Sequence, residues 1–593
     1  MQKRTKIMIA TASPRMSREL KVLPLAPYAL KSYTMWRLGE ASRDVTIDII
    51  VFDPDLSGAE MALELESFDV DIVAFSVYVW NYTESIACAR LLGERDSSPF
   101  IIMGGPQVSP VAEEVMQAHP FIDATAFVTA PGEIIFFQFV KAFLTGTDLG
   151  TVAGLVFRDK KGRVTKTSDK VEMLDMQHPS PYLDGTVELQ GDREFHVTIE
   201  TSRGCPFDCA YCYWGSGTNQ VLFPPLERTL AEIDWIADQS RIKHAFITDA
   251  DILLKFRRNE HIADKLWSRR NTFIPEFDSD IRNIVPSRRR LIEKLHRLPG
   301  FFFKFAVQTA NPIAWKLLGD NRAKPELFLE KAQLLRSWIP DAKIVADIML
   351  PLPGDDLEGL RQTTNLVLSL EPNQIFLNYP VYLLPGTRFY DERKQLGLVY
   401  NEEPPFSILA SESFPLPDID IALKLSIWVQ ILTYYHPAVS HCFYQIGRTD
   451  PNRSHVNRLE SWIEAIEERI QLMAPHKNLP QLAVDSVEQL NTVKGGILTQ
   501  SCTVKSCVAI YETIFKLESN GFGEHMPLIE LGIELFNHLD DAGVEWFDQE
   551  VLDRLSLPIL SQYSTDEIQS LMPIFRRYES AASAQEAALS KLK

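Results

Sequence analysis

The chain has 593 residues, a formal net charge of −19 and 45% hydrophobic residues. This length exceeds what one core supports and predicts several domains, while the acidic balance argues against a protein that grips nucleic-acid phosphates. The stretch 1–10 has too few apolar residues for a signal peptide, and no run approaches the roughly 18 apolar residues of a membrane helix. We therefore expect a cytoplasmic protein without nucleic-acid or membrane partners.

The first 150 residues alternate short apolar runs with helix-length amphipathic stretches. This alternation predicts a doubly wound, Rossmann-like parallel sheet, whose ligands bind at the carboxyl ends of the strands. The predicted strands are 6–10, 45–51, 72–76 and 100–105. The loops that follow strands in this region are polar or glycine-rich, namely 11–14, 76–81, 104–107 and 130–133. Each loop alone is also explained by turn geometry, because turns use Gly and Ser for their own conformation.

Three cysteines lie close together in a C-x3-C-x2-C pattern, at Cys205, Cys209 and Cys212. Three thiolates can bind three irons of a 4Fe-4S cluster and leave the fourth iron open to another ligand. Structural zinc usually needs four protein ligands, and no further Cys or His lies within twenty residues after Cys212. A disulfide framework is a poor alternative, because the chain has seven cysteines and the other four are scattered.

The rest of the chain divides into a linker, a second strand–helix region and a helical end. Residues 151–190 contain a hairpin-like piece and a stiff proline-rich segment, and we interpret them as a linker. Residues 191–415 contain six predicted strands, at 195–201, 243–251, 272–280, 302–309, 343–350 and 374–379. Residues 416–593 have aromatic and aliphatic residues at helical spacing and are expected to form a helical cover that selects the substrate. There, Cys502 and Cys507 are interpreted as ordinary buried thiols and 581–593 as a frayed helix end.

The cysteine loop, with Tyr211 before its last cysteine, resembles that of radical S-adenosylmethionine (SAM) enzymes. The order of S-x4-N at Ser76, then G-G-P at Gly104, then G-E at Gly132 resembles the cobalamin-binding domain that precedes the radical domain in one branch of that family. The resemblance spans roughly residues 5–415 and implies three parts. These are a Rossmann-like cobalamin domain at 1–150, a partial (β/α)6 barrel at 191–415 and a mostly α-helical C-terminal domain. It implies three cofactors: a 4Fe-4S cluster, SAM and cobalamin.

The resemblance also implies which residues contact each cofactor. The cluster ligands are Cys205, Cys209 and Cys212. The residues expected to bind SAM are Tyr211, Tyr213, Asp249, Gln308, Asp347 and Leu384. Those expected to bind cobalamin are Ser13, Ser76, Tyr78, Trp80, Asn81, Gly104, Gly105, Pro106, Gln107, Gly132 and Glu133. The family often has His where this chain has Gln107, and a D-x-H-x-x-G motif is absent from the sequence, so we expect no protein imidazole below the cobalt.

The implied activity is a cobalamin-dependent radical SAM methyltransferase. It would move a methyl group from SAM through methylcobalamin to a carbon of a small-molecule, amino-acid or peptide natural-product substrate. Cyclisation, ring contraction or rearrangement without methyl transfer is the alternative within the branch, and a non-catalytic cobalamin-binding sensor is the alternative outside it. An electron donor such as flavodoxin or ferredoxin and a monomeric state are further expectations.

Overall fold

In a computed structural model of the protein, the structure describes residues 4–14, 20–127, 131–214, 220–319, 323–435, 437–473 and 504–526, with a few positions between 529 and 537. The strands are β1 Thr5–Ala12, β2 Leu20–Leu23, β3 Val45–Phe52, β4 Ile72–Ser76, β5 Phe100–Gly104, β6 Ala124–Ala126, β7 Leu155–Arg158, β8 Val164–Lys166, β9 Glu194–Ile199, β10 Ile242–Ile247, β11 Ile274–Phe277, β12 Phe303–Gln308, β13 Ile344–Met349, β14 Gln374–Asn378, β15 Leu398–Tyr400 and β16 Ile408–Ser411.

The α-helices are α1 Leu25–Leu38, α2 Gly58–Glu66, α3 Tyr82–Gly93, α4 Ala112–Ala118, α5 Gly132–Thr145, α6 Leu226–Ala237, α7 Phe256–Ser268, α8 Arg289–His296, α9 Pro312–Leu318, α10 Pro325–Trp338, α11 Leu357–Ser369, α12 Arg388–Asp391, α13 Leu416–Gln430, α14 Pro437–Thr449, α15 His455–Met473 and α16 Val504–Phe522. A π-helical segment, Ile431–Tyr435, joins α13 to α14.

The N-terminal sheet has seven strands in the order β3-β1-β4-β5-β6-β7-β8. Pairing is parallel from β3 to β6, while β7 and β8 add antiparallel strands at one edge. Alternate residues of β1 enter different cores: Met8 packs on one face of the sheet and Ile7 and Ile9 on the other. The predicted doubly wound sheet is therefore confirmed, and the hairpin predicted within the linker extends that sheet.

The second region contains all six predicted strands, β9 to β14, and every pair among them is parallel. They form two sheets, one with β9 to β11 and one with β12 to β14. Phe303 and Phe305 enter the large core beneath the surrounding helices, so Lys304, between them, faces the interior of the barrel. The short strand β2 was not predicted; it pairs with β9 and ties the N-terminal region to the barrel.

The described part of the C-terminal region is helical, as predicted. Trp428 of α13 and Trp462 of α15 are fully buried in the same core as the barrel strands. Their indole N–H groups donate to Glu467 and Glu518 respectively, which satisfies each buried donor. Cys507 is buried, as expected, whereas Cys502 and the predicted frayed end at 581–593 lie outside the described residues. Among those described, no helix combines the length and apolar character needed to cross a membrane.

Candidate active site

The cysteine loop follows β9 and is closed at its base by backbone pairing. Arg203 and Leu222 exchange two N–H···O bonds, of 2.8 and 2.9 Å. Gly204 has φ +98°, and a Cβ there would lie 2.2 Å from the carbonyl oxygen of Gln220, so the turn into Cys205 requires glycine. Within the loop, the amide of Cys212 donates to the carbonyl of Cys209 at 3.0 Å. Local backbone hydrogen bonds and the glycine at Gly204 therefore determine where the three thiols lie.

All three cysteines line one cavity of about 620 Å³, here called the cysteine cavity. Cys205 is buried, Cys209 and Cys212 are half-buried, and none of the three forms a disulfide. Within the described part of the chain, no three His, Cys, Asp or Glu side chains converge on a single-ion site. Three thiols on one short loop, all facing one cavity, fit the donor set of an iron-sulfur cluster with an open iron.

The lining of the cysteine cavity also carries charged side chains, of which Asp347 is buried and Lys304 and Asp278 are half-buried. Lys304 of β12 lies 3.2 Å from a carboxylate oxygen of Asp278 and 3.4 Å from one of Asp347. Burial raises the pKa of Asp347 to about 6, although the Lys304 ammonium acts in the opposite direction. Among the described residues, the Oδ1 atom of Asp347 has no hydrogen-bond partner. A ligand that donates a hydrogen bond would satisfy this acceptor.

Gln308 joins the cysteine loop to the end of β12. Its Nε2 donates to the hydroxyl of Tyr211. Its backbone has φ +62°, a conformation that residues other than glycine rarely adopt. Its Oε1 atom is buried without a partner among the described residues. Backbone strain and an unsatisfied acceptor at one strand end are typical of ligand sites.

A second cavity, of about 850 Å³, lies at the carboxyl edge of the N-terminal sheet and is here called the large cavity. One wall consists of strand, loop and helix residues of the N-terminal region, and the other includes residues from β9, β10, β11 and the cysteine loop. Gly105 has φ +119°, and a Cβ there would lie 2.3 Å from the carbonyl oxygen of Val77, so the loop can pass beside the cavity only with glycine. Tyr78 and Trp80 stack with ring centroids 4.5 Å apart and line this wall.

The structure brings most of the expected ligand residues to the two cavities. Those expected to contact cobalamin that line the large cavity are Ser76, Tyr78, Trp80, Gly104, Gly105, Pro106, Gly132 and Glu133. Those expected to contact SAM that line the cysteine cavity are Tyr211, Gln308, Asp347 and Leu384. Tyr213 lines the large cavity instead.

Four expected residues lie outside both linings and make contacts within the protein. The Asn81 side chain donates to Thr11, Ala12 and Ser76 and accepts from the amide of Tyr78, which holds its loop together. The other three residues are also buried. The Ser13 hydroxyl donates to the Phe52 carbonyl at 3.4 Å, and the backbone N–H of Gln107 donates to the Val77 carbonyl at 3.4 Å. The Asp249 carboxylate accepts from the Thr201 hydroxyl at 2.7 Å.

An ion pair connects the two walls of the large cavity. Arg203, two residues before Cys205, donates to Glu133 at 2.8 Å and to Glu200 at 2.7 and 2.9 Å. Burial alone would raise the pKa of Glu133, yet the Arg203 guanidinium holds it below its usual value. Trp214 lines both cavities, so they are neighbours.

Sequence reasoning missed Lys304, Asp278 and the pairing of Arg203 with Glu133. One signal was available, since Lys304 lies four residues before Gln308 and alternation puts both on the same face of β12. The two partners of Lys304 depend on how three strands are arranged, which the local sequence does not state.

Comparisons with known proteins agree with this geometry. Residues 199–367 match the model of the radical SAM superfamily. A 2-(S-pantetheinyl)-carbapenam-3-carboxylate methyltransferase from Streptantibioticus cattleyicolor is 33% identical over 191 residues, which are 31% of this chain and 28% of that protein. The cobalamin-dependent radical SAM methyltransferase TokK from Streptomyces tokunonensis is 33% identical over 192 residues, or 30% and 27% of the two chains. The chain thus spans less than a third of the length of these relatives.

Two solved structures share the fold over longer stretches. OxsB, a cobalamin-dependent SAM radical enzyme solved with aqua-cobalamin and SAM, has a TM-score of 0.57 at 14% identity and matches 91% of this chain and 84% of its own. TsrM from Kitasatospora setae, a radical SAM methyltransferase solved with cobalamin and a [4Fe-4S] cluster, has a TM-score of 0.52 at 15% identity, over 68% and 82%. Residues 199–367 thus match the radical SAM superfamily, and the fold of the chain around them is similar to the folds of OxsB and TsrM.

Proposed function

We propose that the protein is a cobalamin-dependent radical SAM methyltransferase that methylates a carbon atom of a small-molecule, amino-acid or peptide natural product. The observation that carries this proposal is the adjacency of two different cavities. One presents three thiols, the other is lined by strand-end loops of a doubly wound sheet, and Trp214 belongs to both.

The residues of the cysteine cavity fit a 4Fe-4S cluster with SAM beside it. Cys205, Cys209 and Cys212 would hold the cluster, and the unpartnered oxygens of Gln308 and Asp347 would accept hydrogen bonds from SAM. Such a pair of groups supplies one-electron cleavage of a carbon–sulfur bond. The Tyr211–Gln308 hydrogen bond would keep the thiols and the SAM-binding strand end in a fixed relation.

The residues of the large cavity fit a flat, bulky cofactor such as cobalamin. Gly104 and Gly105 line this cavity with backbone, and the stacked rings of Tyr78 and Trp80 give an apolar surface. When bound there, cobalamin would supply methyl-group carriage. The chain's own contribution is placement, since the Arg203–Glu133 pair holds the cysteine loop against the helix that begins at Gly132.

The substrate class is proposed from the relatives, whose names include a carbapenam methyltransferase. We further propose that the enzyme works in the cytoplasm, because cytosolic thiols stay reduced. There it would act as a monomer and receive electrons from a donor such as flavodoxin or ferredoxin.

The test is an anaerobic assay of the cluster- and cobalamin-loaded protein with SAM, a reductant and pools of candidate acceptors. Mass spectrometry would quantify S-adenosylhomocysteine and 5′-deoxyadenosine. Catalytic formation of S-adenosylhomocysteine is expected, and matching 5′-deoxyadenosine would select a radical route over a polar one. If 5′-deoxyadenosine alone accumulates with every acceptor that reacts, the methyltransferase proposal falls and rearrangement or cyclisation replaces it.

A further inference from the structure

Two polar side chains on the barrel wall of the large cavity have no role in the proposed chemistry. His196 lies on β9 and Glu276 on β11, and both line the cavity; they are here called the His–Glu pair. The intervening strand β10 carries His244, which is paired in register with His196. The Nδ1 atom of His244 lies 2.7 Å from Oε1 of Glu276. This contact orients the carboxylate and leaves Oε2 3.9 Å from Nε2 of His196.

The His–Glu pair is incomplete in the protein alone. His196 is only 3% exposed, and its Nε2 has no hydrogen-bond partner among the described residues. A buried polar atom without a partner is costly and uncommon in folded proteins. Because His196 faces a cavity large enough for a ligand, the occupant of that cavity is the natural source of the missing partner.

The charges of the pair limit what that partner can be. A carboxylate such as Glu276 only accepts hydrogen bonds, and a neutral imidazole can accept one at Nε2. Burial lowers the pKa of His196, as does His244, while Glu276 acts in the opposite direction, and we take the imidazole as uncharged. A carboxylate or phosphate would be repelled by Glu276, whereas an N–H or O–H group could donate to both side chains.

We infer that the His–Glu pair binds a hydrogen-bond donor, most directly the N–H of a carboxamide, on the molecule that occupies the large cavity. This inference rests on the proposed function, which places cobalamin there. The corrin periphery carries carboxamides, and the pair and the strand-end loops line the same cavity, so cobalamin is the first source of the donor. An N–H or O–H of the methyl acceptor is the second source.

The experiment compares two variants of the full chain with one matched control. Glu276→Gln keeps the shape of the side chain but turns a donor toward the ligand, and His196→Phe removes the ring nitrogens. The control is Lys243→Gln on β10, which breaks an exposed ion pair with Glu194 and an exposed hydrogen bond to the Ser240 carbonyl. Each cluster-loaded protein is titrated with hydroxocobalamin and followed by absorbance, with iron content and thermal unfolding as checks of folding.

If the donor is a corrin carboxamide, both variants should bind hydroxocobalamin about 10-fold or more weakly, the loss expected for a hydrogen bond to a charged group, while Lys243→Gln should bind like the parent. Should His196→Phe fail to fold, the isosteric Glu276→Gln decides. Unchanged cobalamin affinity with a KM for the methyl acceptor raised about 10-fold would assign the donor to the substrate.

The inference is overturned if the affinity for hydroxocobalamin and the KM for the methyl acceptor both stay at the parent values in both variants. A parent protein that binds cobalamin but forms no S-adenosylhomocysteine with any acceptor refutes the proposed function instead. In that case the titration alone decides, and unchanged affinity in Glu276→Gln and His196→Phe overturns the inference.

Discussion

The two cavities are neighbours, but they are built by different means. The large cavity is shaped by backbone: glycine at Gly105, stacked rings at Tyr78 and Trp80, and helix ends from the N-terminal region. The cysteine cavity is shaped by reactive and charged side chains, with the thiols and the Lys304 ion pairs in its lining. Because the two cavities depend on different residues, a substitution can alter one of them and leave the other intact.

The largest effect is expected from Cys209→Ala, which changes the lining of the cysteine cavity but not that of the large cavity. Two remaining thiolates cannot hold three irons, so the cluster should be lost after anaerobic reconstitution. Iron and sulfide content and the visible absorbance measure this loss, and hydroxocobalamin binding should persist because the large cavity is untouched. Cys442→Ala, at a buried thiol outside both cavities, is the control and should keep its cluster. A Cys209→Ala protein with a full cluster would contradict the assignment.

Arg203→Met should have the next largest effect, because it removes the ion pair that connects the two walls of the large cavity. It leaves the carboxylates of Glu133 and Glu200 without their cation, and breaking a buried ion pair typically costs about 3–5 kcal/mol. The free energy of unfolding from denaturant titration measures this cost.

The matched control for Arg203→Met is Arg193→Met, since Arg193 also pairs with the N-terminal region, at 2.8 Å from Asp53, but in solvent. An exposed pair contributes about 0–1 kcal/mol. Equal losses of unfolding free energy in the two variants would show that the Arg203 pair stabilises the protein no more than an exposed pair does.

A pH-dependent effect is expected at Asp347, on the charged wall of the cysteine cavity. Its folded-state pKa is raised from 3.8 to about 6, so the folded protein binds this proton more tightly than the unfolded chain does. The contribution of Asp347 to stability is therefore fully present below about pH 4 and is lost as the pH rises through about 6. The shift corresponds to about 3 kcal/mol.

Asp347→Asn removes this titration. The free energy of unfolding of the parent minus that of the variant, measured by denaturant titration, should fall by about 3 kcal/mol between pH 4 and 6 and then level off. A difference that stays constant over this range would place the pKa of Asp347 near its ordinary value.

The smallest effect is expected from Gly105→Ala, because only one loop beside the large cavity has to shift. An alanine at φ +119° is strained by about 1–3 kcal/mol, and its Cβ would lie 2.3 Å from the Val77 carbonyl oxygen unless the loop moves. Thermal unfolding should show a lower midpoint and hydroxocobalamin should bind more weakly, while the cluster is retained. Gly104→Ala is the stability control, since its new Cβ would meet only Ala126 at 3.5 Å. If both variants unfold like the parent, the loop does not need glycine at Gly105.

The sequence predicts the parts of this protein that are encoded locally. The cysteine pattern is contained in eight residues, and the four N-terminal strands and six barrel strands with period-two or continuous apolar patterns were predicted correctly. The strand β2 has only four residues and no pattern of its own, because its pairing with β9 is what defines it. Neither could the sequence reveal the contacts of Lys304 or of the His–Glu pair, since these depend on how residues from three strands are arranged across the barrel.

The central claim is that the two neighbouring cavities hold two cofactors within reach of one substrate. The most direct measurement is electron paramagnetic resonance of the anaerobically reduced protein loaded with both cobalamin and cluster, with Cys209→Ala as the reference that contains cobalamin alone. We predict that the cob(II)alamin signal is broadened or split by the nearby reduced cluster, and that this change is absent in Cys209→Ala. A spectrum that is the simple sum of two isolated centres would contradict the account.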